Sequence, residues 1–256
     1  RNRMTKLNGG TPISDGPFRN GSMYLTYTNE GMPIGAFWGY KTDGLIQTQE
    51  QLNAVKRADF QPNAELGDVL FVDTNGDGKL DSSDRCMIGN PIPDIIYGIN
   101  MGMAWKGFDL NLQFGGTIGN QIFNAMRYYT YFPNDITNKD RALMNYWTPN
   151  NTNTDIPRLT ATDVNDNDRF SDMYVENGTY FRLRNAQLGY TLPASLTQRI
   201  KLQKVRFYVS GQNLFTISSY SGMDPEVGQS SSLSRGIDYG IYPQNISFTG
   251  GINVTF

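Results

Sequence analysis

Ile246-Ser247-Phe248-Thr249-Gly250-Gly251-Ile252-Asn253-Val254-Thr255-Phe256 is the stretch on which the fold turns. Successive side chains of a strand point to opposite faces. Ile246, Phe248, Gly250, Ile252, Val254 and Phe256 therefore share one face, and Ser247, Thr249, Gly251, Asn253 and Thr255 share the other. One face is oily and the other wet. A strand of a soluble sandwich can show the same alternation. A chain that stops on such a strand, with an aromatic as its last residue, fits the closing strand of a transmembrane β-barrel better.

The same alternation recurs upstream. Tyr97, Ile99, Met101, Met103 and Trp105 make one face of a strand, Lys106-Gly107 reads as a tight turn, and Phe108, Leu110, Leu112 and Phe114 return against Asp109, Asn111 and Gln113. Asp and Gln on the inner face suit a watery lumen. Residues 180–191 and 205–216 form a further pair, joined by a short segment with room for a helical turn. The apolar register of 180–191 shifts near Arg184-Asn185, which predicts a bulge. Weaker strands are expected at 23–28 and 34–40. These few strands fall short of the roughly eight in the smallest transmembrane barrels. The long polar connections 41–93, 117–178 and 217–244 alternate with the two short ones, which puts all three long ones on the outer side.

The expected fold is therefore all-β. Residues 1–256 read as the C-terminal part of an antiparallel transmembrane β-barrel, its last several strands, with long extracellular loops. Composition agrees. The 256 residues are 38% hydrophobic with a mean hydropathy of −0.47, values that a barrel tolerates because half of each strand faces a polar lumen. No run of about 18 apolar residues exists to make a membrane helix. A net charge of −2 without a basic cluster points away from nucleic acid. With no histidine, this segment cannot by itself supply a Ser-His-Asp triad, a His-based zinc site or a haem ligand, and no enzymatic activity is expected. The single Cys86 allows no internal disulfide and is expected to be a buried or neutral thiol. The chain opens at Arg1 with neither a start Met nor a signal-peptide pattern and reads as a processed piece or an excerpt.

One metal motif is sharp. Asp73-Thr74-Asn75-Gly76-Asp77-Gly78-Lys79-Leu80-Asp81-Ser82-Ser83-Asp84 follows the twelve-residue calcium loop nearly position by position. Asp73, Asn75 and Asp77 offer side-chain oxygens at positions 1, 3 and 5, Lys79 its carbonyl at 7, and Asp81 an oxygen at 9. Gly78 stands where the loop must turn sharply. Asp84 replaces the usual Glu at position 12, and its shorter arm lowers the expected affinity. The competing reading is an Asp/Gly-rich turn that binds nothing; agreement at five ligand positions and the glycine favours Ca²⁺ in a structural role. Residues 67–72 before the loop look like a strand, so this is no paired regulatory EF-hand, and no second copy makes it a dockerin. The acidic stretch 163–172 lacks the glycine and reads as a solvated loop.

Tyr128, Tyr129, Tyr131, Phe132, Tyr146 and Trp147 crowd one exterior connection. They suit stacking on a sugar or peptide, but a small core of the loop's own is the commoner use of such a cluster. Tyr97, Trp105, Tyr180, Tyr190 and Tyr242 lie near strand ends, where an interfacial girdle or ordinary strand packing would place them.

Several further runs carry a resemblance. They are Gly31-Met32-Pro33-Ile34-Gly35-Ala36-Phe37-Trp38-Gly39-Tyr40-Lys41-Thr42-Asp43-Gly44, Gly67-Asp68 leading into the calcium-type loop, and Ile88-Gly89-Asn90-Pro91-Ile92-Pro93. Tyr174-Val175-Glu176-Asn177-Gly178-Thr179-Tyr180-Phe181-Arg182-Leu183-Arg184-Asn185 follows, then Leu188-Gly189-Tyr190-Thr191-Leu192-Pro193, Gln212-Asn213-Leu214-Phe215-Thr216 and Asp224-Pro225-Glu226. In this order, over about residues 20–256, they resemble the C-terminal barrel part of SusC/RagA-like TonB-dependent transporters of Bacteroidetes-type outer membranes. The resemblance implies the last quarter or so of a chain that closes a barrel of about 22 strands. It implies import of glycan or peptide fragments, a SusD-like surface lipoprotein as lid, and energy from TonB-ExbB-ExbD through an N-terminal part not contained in this sequence. The alternative is a calcium-dependent extracellular β-domain that binds glycan or protein.

Overall fold

The computed structural model describes residues 2–19, 21, 23–131, 138–228 and 231–256. The first strands in chain order are β1 (Ile13–Phe18), β2 (Met23–Thr28), β3 (Ala36–Gly39), β4 (Thr42–Leu45), β5 (Val69–Phe71), β6 (Cys86–Gly89) and β7 (Ile95–Trp105). There follow β8 (Phe108–Ile118), β9 (Gln121–Asn124), β10 (Val175–Asn177), β11 (Tyr180–Thr191), β12 (Lys204–Ser218), β13 (Ile237–Asp238) and β14 (Ser247–Thr255). Among the described residues three short α-helices intervene: α1 (Gln49–Arg57), α2 (Ala125–Tyr131) and α3 (Ala194–Thr197). No helix among the described residues is long and apolar enough to cross a membrane. The chain divides into two compact units.

The unit made of residues 93–120, 178–225 and 242–256 is one antiparallel sheet in the order β14-β12-β11-β8-β7. Its register lines up the alternation of every strand. One row runs Trp105, Phe108, Tyr190, Phe207, Ile252; the next runs Met103, Leu110, Leu188, Val209, Gly250; the third runs Met101, Leu112, Ala186, Gly211, Phe248. Large side chains of this face stay open, with Trp105 at 69% and Phe248 at 78% exposure. On the opposite face Asn100, Gln113, Asn185, Gln212 and Ser247 share a row. A sheet that is oily on one side across five strands is built for lipid outside and water inside.

The β7–β8 turn at Lys106-Gly107 has both residues at positive φ, 47° and 90°, the geometry that matches the twist of a two-residue hairpin. The segment between β11 and β12 contains α3, as expected. The expected bulge is present: Arg184 is the unpaired residue between Leu183 and Asn185, opposite Phe114 and Gln113 of β8. On β12, Asn213 and Leu214 lie together opposite it, with Asn213 at φ 53°.

The second unit, residues 1–92, 121–177 and 226–241, corrects three expectations. First, strands at 23–28 and 34–40 exist, as β2 and β3, but they belong to a separate sheet, β1-β2-β3-β6. Second, the three long connections are not independent loops. Phe18, Leu25, Phe37, Phe123, Phe170, Tyr174 and Ile237, drawn from all three stretches of this unit, share one core. Local alternation cannot reveal such a core, because strands as short as β9 and β13 pair across more than a hundred residues. Third, stretch 163–172 is not a solvated loop, since Asn165, Asn167, Phe170 and Ser171 are buried.

Helix α1 opens on a reciprocal cap: Thr48 Oγ1 accepts from the Gln51 amide at 3.2 Å and Gln51 Oε1 accepts from the Thr48 amide at 3.0 Å. Gly67, at φ 86°, lies so close under the Trp147 ring that any Cβ would strike it.

Candidate ion-binding loop

The loop 73–84 is held at both ends. On its entry side, β5 is clamped by side chains of Gln61 and of the stretch 158–169. Asn167 Oδ1 accepts from the Val69 amide at 2.8 Å, and Gln61 Oε1 accepts from the Phe71 amide at 3.0 Å. The wholly buried Asp68 takes the Arg158 guanidinium (Nε to Oδ1, 2.6 Å), the Asn167 amide group (3.0 Å) and the Glu65 backbone N–H (2.8 Å). A buried carboxylate needs this many donors to offset lost hydration. On the exit side, Arg85 Nη2 donates to the Tyr24 and Trp38 carbonyls at 3.0 and 2.8 Å.

Inside the loop, Asp73 accepts from the Gly76 and Gly78 amides at 2.6 and 2.8 Å, Asn75 Oδ1 from Asp77 N, Asp77 Oδ1 from Lys79 N, and Asp81 Oδ1 from Ser83 N. The Gly78 and Gly76 amides hold the Asp73 carboxyl below the usual carboxylate range, and the Ser83 amide does the same for Asp81. Gly76 and Gly78 both stand at φ 77°, so the expected glycine turn is present. Asp84 differs from its neighbours. It is buried, with Oδ1 accepting from Thr74 N and Oδ2 from Asp81 N, both at 3.0 Å, while Thr74 Oγ1 donates to the Asp84 carbonyl at 2.7 Å. It clasps the loop's two ends together. Sequence reading missed this clasp and the Asp68 network, because both depend on partners that spacing alone does not name.

Asp73, Asn75, Asp77, the Lys79 carbonyl, Asp81 and Asp84 are all oxygen donors, the type that suits a hard cation. Each carboxylate oxygen keeps a second lone pair beyond the amide it accepts. Among the described residues, however, no three acidic, His or Cys side chains are gathered to hold a metal. Four members of the aromatic cluster pack into or against cores. Tyr128 belongs to the first core with Tyr129 and Tyr131 beside it, Trp147 belongs to a second core with Leu45, Phe60, Val69 and Phe71, and Phe132 lies outside the described residues. Half-burial pushes the Cys86 thiol up, which keeps it neutral.

On the sheet, Tyr97, Trp105 and Tyr190 stand on the apolar face, but Tyr180 shares a register row with Thr117 and Ser218 on the polar face and is buried. It is not a girdle residue. The polar face pairs its charges: Arg206 with Asp109 and Gln187, and Arg182 with Asp224 and Thr216.

No protein-family model matches the chain. TonB-dependent receptor P3 of Formosa agariphila is 37% identical over 100% of this chain and 26% of its own length. TonB-dependent receptor SusC of Bacteroides thetaiotaomicron is 29% identical over 77% of this chain and 18% of its own length. The RagAB peptide importer in its open-open state matches with a TM-score of 0.71 at 25% identity, covering 99% of this chain and 25% of that one. Its closed-closed state gives 0.67 over 91% of this chain. The chain thus spans about a quarter of the length of the first of these relatives. These relatives are receptors and transporters, not enzymes. Their likeness and the two-faced sheet agree: the chain is a barrel-wall portion and belongs to the SusC/RagA-like TonB-dependent receptors.

Proposed function

We propose that the whole protein is a TonB-dependent importer in the outer membrane of a Bacteroidetes-type bacterium, and that this chain supplies the last strands of its barrel. The observation that carries the reading is the five-stranded sheet whose apolar rows stay exposed while its opposite face is polar and ion-paired. The cargo is a glycan or peptide fragment, and a SusD-like surface lipoprotein covers the outer mouth. We assign the end of the sheet shared by the two short connections to the periplasm, and 117–178 and 217–244, which leave its opposite end, to the exterior together with 41–93, whose Leu45, Phe60, Val69 and Phe71 share a core with Trp147. In cells, uptake of a labelled oligosaccharide or oligopeptide should vanish when either the receptor or TonB is deleted. Uptake that persists without TonB would refute the energy coupling.

The exterior position suits a structural Ca²⁺ on loop 73–84. Asp73, Asn75, Asp77, Asp81 and Asp84 would offer side-chain oxygens and Lys79 its carbonyl. Support comes from the order of the oxygens, the glycine turn at Gly78 and the rigid flanks. Extracellular modules of this type bind at about 10⁻⁴ to 10⁻³ M, so the ion would stiffen the loop and not switch it. Calorimetry of the intact receptor should show binding in that range, lost in Asp73→Ala/Asp77→Ala. No heat at millimolar calcium would defeat the assignment.

A further inference from the structure

We propose that the apolar face of the five-stranded sheet carries a site for one glycerophospholipid of the periplasmic leaflet. Its acyl chain lies in a notch floored by Gly211 and Gly250, and its phosphate lies at the edge bearing Lys106, Arg199 and Lys201. The inference rests on the barrel reading above.

The notch has a volume of about 380 Å³, within the range of small-molecule sites. Its origin is sequence: Ala186, Gly211 and Gly250 place small residues side by side on three strands among Leu110, Leu188, Val209 and Phe248. The bulge at Asn213 turns Leu214 over Gly211 and makes a wall. The lining is mainly apolar and faces outward, where only lipid could fill it.

Depth selects the leaflet. Gly250 lies one register row, and Gly211 two rows, from the row Trp105-Phe108 that closes the hairpin. Rows on one face are two residues apart, about 7 Å, so the notch lies about 7–14 Å from the short-connection edge. A leaflet's hydrocarbon is about 15 Å deep. A lipid whose headgroup sits at that edge would pass its acyl chain through the notch.

Charge selects the headgroup. Residues 105–108 and 192–203 contain Lys106, Arg199 and Lys201 and no Asp or Glu. Lys106 Nζ stands 4.8 Å from the centroid of the Trp105 ring, which belongs to the apolar face, so this ammonium is aimed to the lipid side. The nearest acid along the chain, Asp109, is on the other face, bound to Arg206. An apolar slot ending under an edge whose own segments carry three cations and no acid fits an acyl chain joined to a phosphate.

The test adds phosphatidylglycerol to the delipidated full-length receptor in detergent and counts retained lipid by native mass spectrometry, with lipid A and inorganic phosphate as comparators. Gly250→Leu fills the notch; the backbone there is extended, and a Cβ meets only the Tyr208 carbonyl oxygen at 3.9 Å. Lys106→Asn/Lys201→Asn removes two charges at positions with φ 47° and 58°, which Asn tolerates. The wild type should retain one phosphatidylglycerol. Gly250→Leu should lose it, and the charge variant should retain several-fold less. Equal retention by Gly250→Leu, or preference for lipid A, would overturn the site. Heat-modifiable migration of the same samples separates the failures: an unfolded wild type sinks the barrel reading, whereas folded variants with unchanged retention sink only the lipid site.

Discussion

Asp84 carries the most at the scale of a residue. Its two oxygens, on a buried side chain, satisfy the amides of Thr74 and Asp81. Asp84→Ala should destabilise the loop-bearing unit by about 1–3 kcal/mol, read as faster proteolysis at residues 73–84 in the presence of a chelator. Unchanged cleavage would show that the clasp is dispensable. Asp163 gives a pH signature. Burial, chiefly, pushes its carboxyl up, although the Asn167 and Asp168 amides pull it down. A carboxyl raised in the folded state favours folding when protonated, so its contribution is lost as pH rises through the unfolded and then the folded value. Asp163→Asn, which keeps an acceptor for the Asp168 amide, should melt higher than wild type near neutral pH and converge with it on acidification. At this scale the sequence exposes donor types and spacing. It does not reveal that Asp84 is a clasp, because that role is defined by Thr74.

At the scale of the element, β7, β8, β11, β12 and β14 were legible because each strand is nine residues or longer, alternates over most of its length, and has one face that meets solvent or lipid alone. Even the bulge at Arg184 showed as a slip in the apolar register. β1 was not legible, since Asp15, Gly16 and Pro17 break its alternation. One close approach in the sheet yields a sharp expectation. Tyr97 Oη donates to the Tyr180 carbonyl at 3.0 Å by crossing directly over Gly116, where any Cβ would collide with both groups. Gly116→Val should therefore block assembly of a heat-modifiable receptor. Tyr97→Phe, which loses one hydrogen bond worth about 0.5–1.5 kcal/mol, should still assemble and only melt lower. Normal assembly of Gly116→Val would mean that the strand is less tightly held than its register requires.

For the whole molecule, the division into two units explains which part of the fold could be read in advance. The sheet is written locally, strand by strand. The other unit is assembled from three distant stretches whose apolar residues, such as Phe18, Phe123, Phe170 and Ile237, look like scattered loop residues until the chain returns. The candidate ion loop was legible as a motif, while its rigid base, the Asp68 network, was hidden for the same reason as the core. The central claim is that the five-stranded sheet is a membrane wall with lipid on one face and water on the other, and β8 tests it residue by residue. Single spin labels at Leu110, Asn111, Leu112 and Gln113 in the reconstituted full-length receptor should alternate. Positions 110 and 112 should favour collision with oxygen, which concentrates in lipid, and 111 and 113 collision with a water-soluble nickel chelate. Equal access of the nickel chelate to all four positions would contradict the account.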